Sequence, residues 1–254
     1  MLLLVTVVFA NNFLGARMAE NEFSAMEQFM QTVGLQIDDV AWGIGRTQTI
    51  RYASRYGQVD FQSATLNYSV YVNKSSSWVL LLTKETGIIL FNMPVSKYSL
   101  GNEYHKCIFP SSDSSFLQMG TSAPVAHVFV VEKLPMADGS YIRIVAAPSI
   151  RMLNSTIKTE SKTTDYFKFY LPYLVSGQHP RLSQSITMTG INVSRVTESE
   201  VYGVKIDVAF PNAGLGFNNT FFEFKYTSET YPFSSSSVVE FYIGEVKISL
   251  GQYA

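Results

Sequence analysis

The chain has 254 residues, of which 46% are hydrophobic and 15% charged, and its formal net charge is -1. A chain of this length can bury one large core or two small ones, and its near-neutral charge excludes a general electrostatic attraction to nucleic acid. Its single cysteine, Cys107, excludes an intramolecular disulfide framework, so stability must come from packing.

The first residues are continuously apolar. Residues 1–10 read MLLLVTVVFA, and the run continues weakly through Phe13 and Leu14. The run is shorter than the ~20 residues that span a bilayer, and it lacks the basic residues that open a secretory signal. A buried core helix is a further alternative, although the run has no polar face. We expect the apolar segment to extend upstream of Met1, behind a short basic leader.

A long helix is predicted to include this run. From Phe23 to Ile44 apolar residues recur at three- and four-residue steps, with polar residues between them. This periodicity predicts one helix from near Met1 to near Trp42, and the glycines that follow supply its stop signal. We expect the part after Glu22 to pack against the following domain, with Asp38-Asp39 on a solvated face.

The remainder of the chain reads as strands. Apolar residues alternate with polar ones, and turn residues recur about every ten positions. We expect an opening pair of strands joined around Tyr56-Gly57, and two hairpins. The opening pair covers 47–52 and 58–72, the hairpins cover 78–83 with 87–92 and 126–132 with 141–147, and further strands cover 149–153, 165–171, 185–195, 202–210, 220–226 and 238–250.

These elements predict an α+β fold. A dozen strands without a second long helix favour a sandwich. We therefore expect a hydrophobic N-terminal helix over residues 1–45, serving as anchor or filament core, and one antiparallel β-sandwich domain over residues 46–254.

The sequence carries no recognisable catalytic constellation. His105 and Cys107 could supply two zinc ligands from one side of a strand, but no residue nearby in sequence supplies the others. His127 lies in an apolar strand pattern and is interpreted as a core residue, and His179 lies in a loop. Nucleophile elbows and phosphate-binding glycine loops are missing. We predict a protein that is not an enzyme and that uses no cofactor and no metal.

Sequons for N-glycosylation are more frequent than expected. Five occur, whereas about two would arise by chance at this composition. They favour a secreted glycoprotein, and the alternative is coincidental matching in a Ser-rich chain. The candidate sites are Asn67, Asn73, Asn154, Asn192 and Asn218.

One family has this arrangement. The segment MLLLVTVVFANNFLGARMAENEFSAMEQFMQTVGLQIDDVAWGIG, followed by TQTIRYASRYGQVDFQSATLNYSVYV and a β-rich remainder, resembles the archaeal type IV pilin-like proteins, which include archaellins. The resemblance implies an apolar helix that lies in the membrane before assembly and in the filament core afterwards, with a β-sandwich outside. The side chains expected to make these contacts are Leu2, Leu3, Leu4, Val5, Val7, Val8, Phe9, Phe13 and Leu14.

Two functions are compatible with this reading. The first is a structural subunit of an extracellular type IV pilus-like filament, whose partner is a further copy of the chain. The second is a monomeric, membrane-anchored β-sandwich that binds surface glycans or other cells. Both expectations place the protein at the cell surface, anchored through the N-terminal helix, and neither involves nucleic acid.

Overall fold

A computed structural model describes residues 2–75, 77–111, 114–158 and 163–252, with side chains from residue 13 onward. The long helix α1 covers Leu2–Ala41, and a one-turn helix, α2, covers Asn219–Phe222. Eleven strands are described: β1 Thr47–Arg51, β2 Gln58–Lys74, β3 Ser77–Pro94, β4 Tyr104–Phe109, β5 Leu117–Met119, β6 Ala126–Glu132, β7 Tyr141–Pro148, β8 Ile150–Lys158, β9 Thr163–Ser176, β10 Ser185–Ala209 and β11 Ser228–Leu250.

All eleven strands belong to one hydrogen-bonded sheet. Its order is β4-β6-β7-β3-β2-β10-β11-β9-β8-β5, and β1 pairs with β10 beside this path. The pairs β9 with β11 and β5 with β8 are parallel, whereas the other pairs are antiparallel. Strands β3 and β7 also contact β9, which lies several positions away in this order, so the sheet folds over on itself.

The expected α+β fold with an antiparallel β-sandwich is therefore wrong. The described strands form one mixed sheet, because β3, β10 and β11 continue through positions where turns were expected. Lys84 and Glu85, for example, pair with Tyr68 and Asn67 of β2 instead of turning a hairpin. The opening pair is also wrong, since β1 pairs with β10.

Several single elements agree with the sequence patterns, and one does not. Helix α1 ends one residue before Trp42, and β6 covers the predicted residues 126–132. The strand predicted over 220–226 instead begins inside α2, whose N-cap is Asn218.

Part of the sheet is buried on both faces, and residues 86–93 of β3 belong to this part. Ile88 and Leu90 of β3 point into a first core, which the folded sheet shares with phenylalanines of the α2 region. Ile89 and Phe91 alternate with them and point into a second core, which α1 completes. This second core crosses residue 45, the boundary expected between helix and domain. The helix is thus part of the packed protein.

The C-terminal end of α1 meets the sheet at two glycines. A Cβ atom on Gly190 of β10 would lie 2.4 Å from the Gly43 carbonyl oxygen and 2.5 Å from that of Val40. A Cβ on Gly244 of β11 would lie 2.4 Å from the Ala41 carbonyl oxygen. Backbone atoms cannot yield as a flexible side chain can, so these glycines permit the close approach.

We expect Gly190→Ala and Gly244→Ala each to lower the free energy of unfolding by about 1–3 kcal/mol, since a methyl group would force the helix end off the sheet. Urea unfolding measures the loss. The matched control is Gly214→Ala, where a Cβ would meet nothing within 4 Å, and its change should stay within about 0.5 kcal/mol. Equal effects at all three glycines would contradict this account of the contact.

Candidate functional site

Helix α1 divides into a docked part and an exposed end. Its buried residues recur at steps of three or four, which places them on one stripe facing the sheet. They are Ala19, Phe23, Met26, Met30, Val33, Ile37, Val40 and Ala41. None of the described side chains before Ala19, at residues 13–18, is buried. We call residues 19–41 the docked part and residues 13–18 the apolar end.

A carboxylate fixes the start of the docked part. Glu22 accepts hydrogen bonds from the Ser54 hydroxyl at 2.6 Å and from the backbone N–H groups of Arg55, Tyr56 and Gly57 at 2.9, 2.9 and 3.3 Å. Partial burial alone would raise the pKa of Glu22, but these four hydrogen bonds together hold it below its usual value. The turn that precedes β2 is thereby tied to the helix.

A second carboxylate fixes the other end of the docked part. Asp38 accepts two hydrogen bonds from the Arg151 guanidinium, at 2.7 and 3.2 Å, and one from the Trp42 indole N–H at 2.6 Å. The guanidinium lies over the Tyr170 ring, 4.9 Å from its centroid. Asp38 therefore joins α1 to β8, and its expected place on a solvated face is wrong.

The apolar end offers a surface for association. Phe13, Leu14 and Met18 are 58%, 60% and 42% exposed, although all three are large and hydrophobic. Beside them a groove of about 480 Å³ separates α1 from the segment after β3, and its wall includes Tyr98 and Leu100. Arg17, Glu20 and Lys97 also line this groove, and its apolar side chains can exclude water from a second apolar surface.

The expected helix contacts are only partly described. Phe13 and Leu14 are exposed, as an assembly contact requires. The side chains of Leu2, Leu3, Leu4, Val5, Val7, Val8 and Phe9 lie outside the described residues. The helix backbone itself continues without a break to Leu2.

The prediction that α1 anchors the protein in a membrane is wrong. In the part of the chain that the structure describes, no helix combines the length and the apolar character needed to cross a bilayer. The physical reason is the charge along α1, where Arg17 lies within the apolar end and Glu20 and Glu22 follow it closely. The expected location at the cell surface, anchored through α1, is therefore not supported.

The candidate glycosylation sites differ in accessibility. Asn154 and Asn192 are exposed. The side-chain oxygens of Asn67 and Asn73 are buried, and that of Asn218 accepts hydrogen bonds from Thr220 and Phe221 as the N-cap of α2. Modification at these five sites stays a prediction, with Asn154 and Asn192 the most accessible acceptors.

His127 and His179 lie in different surroundings. His127 is buried beside Cys107, as its apolar strand pattern indicates. His179 is exposed and lies 3.0 Å from the Ser176 hydroxyl. Within the described ranges, no three histidine, cysteine or acidic side chains come together as metal ligands.

Comparison with known proteins gives no assignment. No protein-family model matches the chain, and neither a curated protein nor a solved structure matches it significantly.

Sequence reasoning missed both carboxylate tethers. Acidic residues on an amphipathic helix ordinarily face water, and the groups that bind them lie far along the chain. The only local signal is the spacing of Asp38 and Trp42, one helical turn apart, which brings the indole N–H to the carboxylate.

We expect Glu22→Gln to lower the free energy of unfolding by about 1–3 kcal/mol at pH 7, because an amide replaces a carboxylate that accepts four hydrogen bonds. Since the pKa of Glu22 is lowered on folding, its contribution is present above its ordinary value and is lost as the pH falls through the lowered one. The stability difference between the original chain and the variant should therefore shrink toward acid. Chemical unfolding between about pH 3 and 7 measures this trend.

The matched control is Glu27→Gln, five positions further along α1, whose carboxylate receives none of these backbone hydrogen bonds. Its stability should follow that of the original chain at every pH. A Glu22→Gln deficit that persists unchanged at acid pH would contradict the tether.

Proposed function

We propose that this protein is a pilin-like structural subunit that polymerises with copies of itself through the apolar end of α1. The observation that carries the proposal is the division of one helix into a docked part and an exposed apolar end. Phe13, Leu14 and Met18 face solvent, and the sequence before them is apolar from residue 1 to residue 10. A surface of this kind is normally covered in the working protein.

The energetic argument favours association. Burial of a large apolar side chain contributes roughly 1.5–3 kcal/mol. The three exposed side chains of the apolar end, together with the apolar residues that precede them, can therefore offset the loss of freedom when subunits associate.

The way in which α1 is held supports the same function. The apolar stripe docks the helix, and Glu22 and Asp38 bind it near both ends of the docked part. The apolar end consequently leaves the sheet in a fixed direction, since a helix is stiff over such a distance. Contacts that repeat identically from subunit to subunit need such a fixed direction.

We expect deletion of residues 2–18 to abolish assembly, while the docked part keeps the sheet folded. The full chain should form large species whose size rises with concentration, and the shortened chain should sediment as a monomer. The substitutions Phe13→Ser, Leu14→Ser and Met18→Ser together should weaken assembly at least about tenfold, since each removes apolar area from the contact. Sedimentation velocity and negative-stain electron microscopy measure both.

The matched control carries Met119→Ser, Ile157→Ser and Leu215→Ser, outside α1, at side chains that are 63%, 51% and 42% exposed. This control should assemble as the original chain does. Assembly of the shortened chain would indicate strand exchange instead of helix packing, and a full chain that stays monomeric at every concentration would contradict the proposal.

A further inference from the structure

Cys107 and His127 form a pair outside the assembly surface. Cys107 lies on β4 and His127 on the neighbouring strand β6. Their Sγ and Nε2 atoms are 3.4 Å apart, within hydrogen-bonding distance for sulfur. An imidazole at this distance can take the proton of a thiol, and the thiolate is the nucleophilic form of cysteine.

The thiol is accessible from a pocket. Cys107 is partly exposed, and it lines a cavity of about 300 Å³ together with His105, Ser111, Ser114 and Glu223. A cavity of this volume admits a small molecule but not a folded partner.

His105 indicates which chemistry the pocket accepts. Its side chain is only 8% exposed, and its Nδ1 atom lies 3.3 Å from a carboxylate oxygen of Glu223. Its Nε2 atom is buried and has no hydrogen-bond partner among the described residues. A buried polar atom without a partner is rare in native proteins, and a ligand is one explanation for it.

The hydrogen-bond partner that the Nε2 atom of His105 lacks is inferred to be a donor. Burial lowers the pKa of His105, against the opposing effect of the Glu223 carboxylate, so the ring is neutral at neutral pH. Nδ1 lies beside Glu223, and a ring proton on Nδ1 leaves Nε2 as an acceptor. An ammonium group satisfies this acceptor and is attracted by the carboxylate of Glu223, which is 47% exposed.

We propose that Cys107 is a thiol-modification site that forms a mixed disulfide with a small disulfide carrying ammonium groups. His127 takes the proton from Sγ, which attacks one sulfur of the disulfide. The sulfur–sulfur bond breaks, and the other half leaves as a thiolate that receives the proton from His127. The small disulfide is itself the oxidant, so the exchange balances without a further reagent. This site is independent of the assembly proposed for α1.

The first test measures the pH dependence of Cys107 alkylation by iodoacetamide, a neutral reagent. Because the chain has one cysteine, one label per chain reports this thiol alone, and Cys107→Ser gives the blank. In the folded protein the rate should rise through a midpoint below about pH 8.5, the ordinary value that the chain unfolded in urea should show. A folded midpoint equal to or above that of the unfolded chain, or a folded thiol that does not react, would overturn the proposal.

The second test compares two disulfides of similar length, the cationic cystamine and the anionic 3,3'-dithiodipropionate. Intact-mass spectrometry follows the adduct on Cys107. Cystamine reacts intrinsically faster because its leaving thiol has the lower pKa, so each rate is divided by the rate of the chain unfolded in urea. The divided rate should be about fivefold higher for cystamine, as expected for one nearby carboxylate. Glu223→Gln should remove most of this preference without moving the iodoacetamide midpoint to the unfolded value.

The matched control is Glu85→Gln, an exposed acidic residue on β3, which should keep the preference for cystamine. Equal divided rates for the two disulfides in the original chain would show that the pocket does not select a cation. The same preference in Glu223→Gln would show that another charge selects it. Either result would overturn the assignment of ligand class.

Discussion

The burial of a second apolar face by α1 is the constraint on which the rest of the structure depends. Every residue of β6 is buried, which means that both faces of the sheet are apolar there. The folded sheet covers one face by itself, but the other needs a separate element, and the stripe of α1 provides it. Once the helix is committed to this contact, the direction of its apolar end is fixed.

The strand order ends in a short strand on either side. Exposed strand edges are templates for pairing with other chains, and short edge strands limit this pairing. The outermost strands, β4 and β5, have only six and three residues. Strand β3 differs, because it pairs with β7 only over Ile89–Pro94. Its residues 77–88 pair with β2 alone among the described strands and present a longer unpaired edge.

Local sequence patterns predicted single helices and strands, whereas pairing between distant strands determined the fold. The limits of α1 follow from its periodicity and from the glycines after it, and β6 and β7 follow from alternation between clear turns. The single sheet does not follow, because nothing local distinguishes a long bent strand such as β10 from two short ones. The prediction of a strand over 220–226 was wrong. Phe222 and Phe224 alternate with polar residues, as they would in a strand, but Asn218 caps the start of a helix there.

The candidate sites show the same difference between what local sequence predicts and what distant contacts decide. Phe13 and Leu14 are exposed, as their expected place outside the core requires, and their role in assembly stays a prediction. The tethers could not be predicted, since Glu22 binds a turn more than thirty residues away and Asp38 binds a strand 113 residues away. His105 and Cys107 were visible as a pair on one strand, but His127 and Glu223 join them only through the fold.

The position of β11 has a consequence for the biosynthesis of the chain. This strand follows every other described strand in sequence, yet it lies inside the sheet between β10 and β9, and Gly244 meets the end of α1. During translation, the helix emerges before every described strand, and its binding surface is completed only when β11 has emerged. The apolar stripe must wait for most of the chain to be synthesised, and contacts of such sequence separation form slowly. Until β11 has joined the sheet, the stripe is exposed apolar surface, which makes an incomplete chain prone to aggregation.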